Sequence, residues 1–291
     1  MHLTRGERVF EWGNYVLLVA LSIIFLIPLL SVLTSSVTSQ ADFASGGTFV
    51  LIPHRIDLGA YKLLLAGDSI VFNAYRVTLF RVVVGTFLDL AFTTTLAFVL
   101  ARPDLPGRTA LTIFVFFTIL FSGGLIPTFK LIQVLHLLDN DWVLILPGLI
   151  NPFYLLIMRN FFASLPVELE EAAIVDGASP AVLLWRIVLP LSLPSLATIG
   201  LFYAVGHWNA WFDAAIYLQS IDKLPMQNIL QQILSQGVIQ DSSMVTTETV
   251  LPPTIALQAA TVVIATIPIL CVYPFLQRYF VKGALIGAVK G

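Results

Sequence analysis

Charged residues are scarce in this sequence. Lys, Arg, Asp and Glu make up 11% of its 291 residues, whereas a soluble domain contains about 25%. Hydrophobic residues make up 58%, and the mean hydropathy is +0.91. Because so little charge cannot cover a water-soluble globule, the chain is expected to lie in a lipid bilayer.

Cysteine is almost absent from the sequence, and the common catalytic signatures are missing. Cys271 is the one cysteine, so an internal disulfide is excluded, and no Cys/His spacing predicts a metal site. The sequence has no Walker-type glycine loop, and the chain itself is therefore not expected to bind ATP. The net charge of -2 gives no electrostatic argument for binding nucleic acid. No nucleophile–base pair stands out, which argues against an integral-membrane enzyme.

Six long apolar runs make up most of the chain. A membrane helix needs about 20 mostly apolar residues. Such segments must be helical, because lipid offers no partners for open backbone groups. The predicted fold is an all-α membrane protein with six transmembrane helices, in a single domain over residues 1–291. The spans are predicted at Trp12–Val37, Ile70–Ala101, Thr109–Ile132, Trp142–Phe161, Ile187–Leu218 and Thr254–Arg278.

The first apolar run raises the question of a cleaved signal peptide, since Arg5 and Arg8 precede it. The run Tyr15–Leu33 is longer than the apolar region of a signal peptide, and no A-x-A cleavage site follows. A first membrane helix is therefore the favoured interpretation.

Glycine and proline interrupt two of the runs. The sequence FSGGLIP at 121–127 predicts a break in the third span. Asn151-Pro152 predicts a kink in the fourth span, because proline cannot donate the backbone hydrogen bond that a helix needs.

Basic residues in the loops predict the orientation, because Lys and Arg are enriched on the cytoplasmic side. Placing both termini in the cytoplasm of the plasma (inner) membrane leaves more of them inside than outside. The loops Ser39–Asp68 and Gln219–Pro253 then lie outside, and each is long enough for short helices. The inside residues are Arg5, Arg8, Arg102, Arg108, Arg159, Arg186, Arg278, Lys282 and Lys290, and the outside ones are Arg55, Lys62, Lys130 and Lys223.

A polar stretch at 164–190 interrupts the apolar sequence late in the chain. Ser164 and Pro166 predict the start of a helix, and Gly177 predicts its end because glycine readily adopts a left-handed conformation. Ser179, followed by proline, predicts the N-cap of a second helix, and Pro190 bends or ends it. An amphipathic helix–turn–helix at the membrane surface is the alternative interpretation.

The motif in this stretch resembles the "EAA" loop of ABC importer permeases. The matching residues are Glu171, Ala172, Ala173, Asp176, Gly177 and Ala178, followed by Ile187, Leu189, Pro190 and Pro194. The resemblance implies a type I ABC importer permease fold in which 164–190, the coupling segment, holds a cytoplasmic coupling helix that docks on the ATPase. It implies as partners an ABC ATPase dimer, which binds ATP and Mg, a second homologous permease and an extracytoplasmic binding protein.

The 121–127 run and the ending 277–291 resemble the branch of carbohydrate (maltose-type) permeases that imports oligosaccharides, including uronate oligomers such as alginate fragments. A sugar or oligosaccharide is therefore the expected substrate, moved by alternating access between two homologous chains or two copies of one. A permease of the same type for amino acids is the nearest alternative. An ion-coupled secondary transporter is a further alternative, and only Asp89, an acid within a span, supports it.

Polar residues within the spans are candidates for lining the substrate path. Asp89 lies deep in the second span, where an ionisable group must face the protein or a wet cavity. Its role is either path lining or a buried polar contact, with Arg81 as a long-range partner. Tyr203 and His207 share one helix face with Trp211, and Asn209 lies beside them; aromatic and polar groups together suit sugars. An aromatic belt at the membrane surface is the alternative explanation.

Overall fold

The computed structural model describes residues 5–46, 52–66, 69–236 and 254–288. Within these ranges the secondary structure is helical, apart from an isolated bridge between Thr38 and Ile56. The α-helices are α1 Arg5–Ser35, α2 Gln40–Gly46, α3 Gly59–Leu64, α4 Ile70–Phe80, α5 Thr86–Ala101, α6 Arg108–Leu120, α7 Leu125–Val134, α8 Pro152–Phe162, α9 Val167–Val175, α10 Pro180–Leu183, α11 Leu189–Leu191, α12 Leu193–Asn209, α13 Phe212–Tyr217, α14 Met226–Gln236 and α15 Thr254–Ala288.

Three helical stretches in the described residues are long and apolar enough to cross a membrane without a break: Gly6–Ser35, Ile70–Ala101 and Thr254–Val272. The second joins α4 to α5 through the π-helical segment Arg81–Gly85. Three bent pairs also qualify, and each counts as one span: α6 with α7 at 113°, Asp141–Gly148 with α8 at 50°, and Pro180–Leu191 with α12 at 84°. Six spans result, which is the predicted number.

The breaks lie where the sequence predicts them. Gly124 has φ +85 in the link between α6 and α7, a conformation that glycine adopts without a steric penalty. Asn151 caps α8, since its side-chain oxygen accepts from the amides of Phe153 at 3.0 Å and Tyr154 at 3.2 Å. The bend before α12 falls at Ser192, two residues after Pro190.

The fifth predicted span is wrong at its end. Residues 187–218 do not form one helix, because α12 ends at Asn209 and Ala210 is extended. Trp211 is the N-cap residue of α13. The prediction that Trp211 shares a helix face with Tyr203 and His207 is therefore wrong, because Trp211 is not part of their helix.

The chain divides into two compact units. The first, Met1–Val71 with Ile229–Pro268, contains the apolar and exposed α1. Short helices occupy both predicted outside loops, namely α2 and α3 in one and α14 in the other. Residues 237–253 of the second loop lie outside the described residues. The prediction of a single domain stays a prediction.

The second unit, Phe72–Asn228 with Ile269–Gly291, holds the coupling segment and the candidate path residues. Its core joins α5, α8, α10 and α12 around side chains that are almost fully buried. These are Leu100, Leu155, Met158, Leu183 and Ile199. The core thus brings residues from distant parts of the sequence together beside the coupling segment.

Candidate functional site

The coupling segment is a helix–turn–helix whose turn depends on glycine. Helix α9 ends at Val175, and Gly177 adopts φ +78. The amide of Gly177 donates to the carbonyl of Ile174 at 3.0 Å, and that of Ala178 to the carbonyl of Ala173 at 2.9 Å. This pair of bonds is a Schellman motif, which satisfies the last carbonyls of a helix and requires a left-handed residue.

The EAA-like motif of the coupling segment has an inner and an outer face. Ala173 is buried and packs into the core of the second unit, and Ala178 packs partly against it. Small side chains at these two positions let the turn lie close to the core. The outer face is exposed and contains Glu171, Ala172, Asp176 and Gly177.

The sequence predicted two helix starts within the coupling segment. The start at Ser179 is confirmed, and the start at Ser164 and Pro166 is confirmed only in part. Ser179 caps α10, since its hydroxyl accepts from the amide of Val182 at 3.4 Å and a proline follows it. Pro166 is the N-cap residue of α9 without a side-chain hydrogen bond. Ser164 does not cap that helix, because its hydroxyl donates instead to the carbonyl of Phe161 at 2.7 Å.

Arg102 links the coupling segment to the end of α5. Its guanidinium lies 3.9 Å from the carboxylate of Glu170 in α9 and 3.5 Å from that of Asp104, in the turn between α5 and α6. It also lies over the ring of Phe98, 5.5 Å from the centroid. Since α5 continues back through the π-helical segment to α4, the coupling segment contacts one end of a continuous helical span.

The other end of this element contains a buried polar cluster, formed by Arg81, Asp89, His207 and Asp213. Arg81 binds Asp213 through both terminal nitrogens, with Nη1 at 3.1 Å from Oδ1 and Nη2 paired with Oδ2. Nη1 also donates to the carbonyl of Ala210 at 3.3 Å. The side chain of Arg81 is 5% exposed and that of Asp213 is 30% exposed. This bidentate pair ties α4 and the π-helical segment to α13.

His207 connects Asp89 to Arg81. Its Nε2 lies 2.8 Å from Oδ2 of Asp89, and its Nδ1 accepts from Nε of Arg81 at 3.4 Å. The direct partner of Asp89 is therefore His207, and Arg81 pairs with Asp213. Asp89 is 1% exposed, so it lies inside the packed helices.

Helix α12 packs closely against the π-helical segment, which explains why position 85 is a glycine. A Cβ atom on Gly85 would lie 2.6 Å from Nε2 of His207, nearer than non-bonded atoms approach. Arg81, Gly85, Asp89 and Thr93 are all buried and stand four apart in sequence. Sequence reasoning missed this stripe, whose signal is a polar or small residue at every fourth position of an apolar span.

Tyr203 lies on the same face of α12 as His207, as the spacing predicts. Its hydroxyl accepts from the backbone amide of Asn151 at 3.0 Å and lies 2.7 Å from the hydroxyl of Thr93. The ring packs edge-on against Tyr154, with centroids 4.9 Å apart. Tyr203 is buried and connects α5, α8 and α12. Asn209, by contrast, is exposed, and its amide donates to the carbonyl of Val205 at 2.9 Å.

A further polar cluster, which the sequence did not reveal, surrounds Asp139 in the loop after α7. Its carboxylate accepts from the hydroxyl of Ser220 at 2.6 Å, from the amides of Gln219 and Ser220, both at 3.0 Å, and from Nζ of Lys223 at 3.1 Å. The hydrogen bonds from Ser220 hold the pKa of Asp139 well below its usual range. These contacts fix the start of the loop that follows α13.

The fold and its site define a class of protein: a helical membrane component with bent spans and an exposed helix–turn–helix connected to its core. Residues 6–285 match the family described as "Binding-protein-dependent transport system inner membrane component", and the chain belongs to this family.

Two curated relatives come from Bacillus subtilis (strain 168). Protein LplC is 43% identical over 100% of this chain and 98% of its own length. The polygalacturonan/rhamnogalacturonan transport system permease protein YtcP is 42% identical over 98% of this chain and 99% of its own length. Among solved structures, a bacterial ABC transporter involved in the import of the acidic polysaccharide alginate has a chain with a TM-score of 0.88 and 32% identity. The match covers 96% of this chain and 99% of that one.

These similarities confirm the predicted family, the all-α membrane fold and its type I ABC permease architecture. The chain is a multi-pass permease subunit of an ABC transporter rather than an enzyme.

Proposed function

We propose that the chain forms half of the pore of an ABC importer for carboxylate-bearing oligosaccharides. One observation supports the acidic substrate above the others. A solved structure similar over almost the whole chain comes from an importer of the acidic polysaccharide alginate. A relative at 42% identity is a permease for polygalacturonan and rhamnogalacturonan, and polygalacturonan is also a polymer of sugar acids.

The importer has three kinds of partner in this proposal. An ABC ATPase dimer binds ATP and Mg and docks on the coupling segment, so the chain itself needs no cofactor. A second permease, homologous or identical, completes the pore, and an extracytoplasmic binding protein delivers the oligosaccharide. Both termini of the chain lie in the cytoplasm, which agrees with the distribution of basic residues.

The ATPase site is the exposed outer face of the coupling segment, with Glu171, Ala172, Asp176 and Gly177. Two features support this proposal. The face combines carboxylates with small residues, so a partner can approach the backbone closely and meet the acids with basic or hydroxyl groups. Ala173 and Ala178 anchor the same turn to the core, so that force on the turn reaches the spans.

Alternating access is the proposed mechanism. Helix α5 connects the coupling segment at one end to the buried polar cluster at the other. Arg102 contacts the coupling segment, and Arg81 belongs to the buried polar cluster. Their separation of 21 positions in sequence corresponds to roughly 30 Å of helix at about 1.5 Å per residue, about the thickness of the hydrocarbon core. A displacement of α9 would therefore reach the far side of the membrane through one continuous element.

The four path candidates occupy different environments, and Asn209 is the one that fits best. Asp89, Tyr203 and His207 are engaged in buried contacts, so they line a path only in another conformation. Asn209 is exposed at the end of α12, next to the partly exposed Trp211. An amide beside an aromatic face suits a sugar.

Uptake of the oligosaccharide is expected to fall roughly fivefold in an Asn209→Ala variant, because one hydrogen bond contributes about 1 kcal/mol. Asn14→Ala, at an exposed position on α1, serves as the matched control and is expected to transport normally. Uptake is measured in vesicles that contain the complete transporter, after confirming equal ATPase content. Wild-type uptake by Asn209→Ala would remove this residue from the path.

The acidic substrate is tested with two forms of one molecule. We expect a galacturonate oligosaccharide to stimulate ATP hydrolysis and uptake at least roughly tenfold more than its methyl ester, because a site built for a charged group rejects an analogue that lacks it. The assay uses the permease pair, the ATPase and the binding protein in vesicles.

Three outcomes of that assay would contradict the proposal. Equal transport of the methyl ester would exclude selection for carboxylates. Stimulation by amino acids but not by oligosaccharides would place the chain with a different substrate class. Uptake that persists with an ATPase variant unable to hydrolyse ATP would indicate an ion-coupled transporter.

A further inference from the structure

We propose that α7 is an amphipathic helix that binds the surface of the lipid bilayer, with its apolar face among the acyl chains and its polar face toward water. The third span then crosses the membrane through α6 and the link Phe121–Gly124. This inference does not depend on the substrate of the importer. It rests on the direction of α7, on the three faces of this helix and on its contacts with α13.

The direction of α7 is that of a helix in the membrane plane. The axes of α6 and α7 differ by 113°, so α7 lies close to perpendicular to the helix that precedes it. Membrane helices are tilted by about 20° on average from the bilayer normal. A helix nearly perpendicular to such a span does not continue the crossing, and it lies close to the plane of the bilayer.

The lengths of the preceding segments place α7 at the edge of the hydrocarbon core. Helix α6 has 13 residues, which correspond to roughly 20 Å at about 1.5 Å per residue. The non-helical link Phe121–Gly124 adds at most roughly 14 Å, and the hydrocarbon core is about 30 Å thick. Because the turn before α6 lies beside the coupling segment, α7 lies at the opposite surface of the membrane.

The inner face of α7 packs on the second unit and fixes the helix at this level. Ile132 is 2% exposed, and the ring of Phe129 stacks on that of Tyr217 in α13, with centroids 6.1 Å apart. The carbonyl of Tyr217 accepts from the amide of Asp139 at 2.9 Å. The ion pair of Asp139 with Lys223 is about one third exposed, as expected beside water rather than lipid. Helix α7 therefore lies where the bilayer meets water.

The exposed surface of α7 is divided into an apolar and a polar face. The apolar face consists of three side chains that are each more than half exposed: Leu131, Val134 and Leu135. Lys130 and Gln133 share a different face of the helix, and Nζ of Lys130 donates to Oε1 of Gln133 at 3.1 Å. Ile126, in the first turn, lies on the polar side and is an exception to this division.

This division fits a lipid surface. An interfacial helix buries its apolar face about 5–10 Å into the boundary between headgroups and acyl chains and carries Lys on its polar face. The long stem of Lys130 lets its ammonium reach the level of the lipid phosphates. The hydroxyl of Thr128, between the inner and apolar faces, donates to the carbonyl of Gly124 at 2.8 Å, so lipid does not meet an open donor there.

Trp142 marks the same boundary independently. It lies at the start of the fourth span, on the side of the membrane where α7 lies, and it is 42% exposed. Tryptophan is enriched where the membrane meets water. Its ring also packs edge-on against Phe80, with centroids 5.6 Å apart, so its position relative to the second unit is fixed.

The proposal is tested with nitroxide labels on single-cysteine variants in a Cys271→Ser background, in vesicles that contain the complete transporter. Collisions of the label with oxygen and with a polar nickel complex report its depth. We expect the ratio of nickel to oxygen collisions to be at least roughly fivefold higher for Lys130→Cys than for Val134→Cys, because a face about 5–10 Å below the headgroups excludes the polar complex. Ile113→Cys, at an exposed position on α6, is the control and should lie deeper than both.

Three outcomes would overturn the proposal. A Val134 label as deep as the Ile113 label would show that α7 crosses the membrane. Few collisions with either reagent would show that another protein subunit covers the apolar face, and frequent nickel collisions would place that face in water. Leu131→Cys labels the same face a second time and is expected to report the same depth as Val134→Cys, so that the test does not depend on one variant assembling.

Discussion

Replacing Gly177 by valine is expected to leave the chain inserted in the membrane but unable to retain its ATPase. Gly177 has φ +78, a conformation that costs an L-residue roughly 1–2 kcal/mol and a β-branched residue more. A Cβ atom there would meet no atom of the described residues within 4 Å. The loss therefore arises from the turn conformation and from the approaching partner, rather than from packing within the permease.

The measurement is co-purification of the ATPase with tagged permease, together with oligosaccharide uptake. Both are expected to fall at least roughly tenfold, since 1.4 kcal/mol corresponds to one factor of ten. Gly177→Asn is the comparison variant, because asparagine tolerates the left-handed region. It should fold as the wild type does and show whether side-chain bulk alone blocks docking.

Membrane insertion and permease yield must stay normal in both variants for this interpretation. The control is Gly206→Ala on α12, where a Cβ also has no neighbour within 4 Å in the part of the chain that the structure describes, but the glycine has no positive φ. ATPase recovered with Gly177→Val at the wild-type yield would show that the coupling segment does not need this turn, and it would remove the proposed docking site.

Replacing Arg81 by methionine is expected to lower the free energy of unfolding of the second unit substantially. The change leaves Asp213 without its guanidinium and removes the donor to Nδ1 of His207, and breaking a buried ion pair costs about 3–5 kcal/mol. The lower end applies here, because the side chain of Asp213 is 30% exposed. Thermal unfolding of the purified permease complex measures the effect.

Arg76→Met is the matched control on the same helix. Arg76 is exposed one turn before Arg81, and its replacement is expected to change the melting temperature little. The double variant Arg81→Met with Asp213→Leu should recover part of the loss, because an apolar pair can replace a buried ion pair. Equal melting temperatures for Arg81→Met and Arg76→Met would show that the buried pair does not stabilise the fold.

The sequence predicted the fold and the breaks in the spans well, for local reasons. Apolar runs of membrane length determine where the spans lie, because lipid excludes open backbone groups. Gly124, Asn151-Pro152 and Pro190 mark the bends, since each changes the backbone within a few residues. The sequence also predicted the turn at Gly177, because the left-handed conformation depends mainly on the residue type at that one position.

The fifth span shows where local reasoning stops. Residues 187–218 are apolar enough as a whole to predict one membrane helix, yet the chain leaves the helix at Ala210 and begins α13 after Trp211. The break turns the carbonyl of Ala210 and the carboxylate of Asp213 toward Arg81, more than 120 residues earlier in sequence. A contact over that separation decides the local backbone, and no local pattern contains it.

The sequence by itself thus determined a six-span helical membrane protein, its bends and the position of the coupling segment, because hydropathy and backbone preference act over a few residues. Only the tertiary structure decided which polar groups meet. It paired Asp89 with His207 and Arg81 with Asp213, and it placed the hydroxyl of Tyr203 on the backbone of Asn151. The physical reason is that a buried charge must find a partner somewhere in the folded chain, and the packing of distant helices determines which partner is within reach.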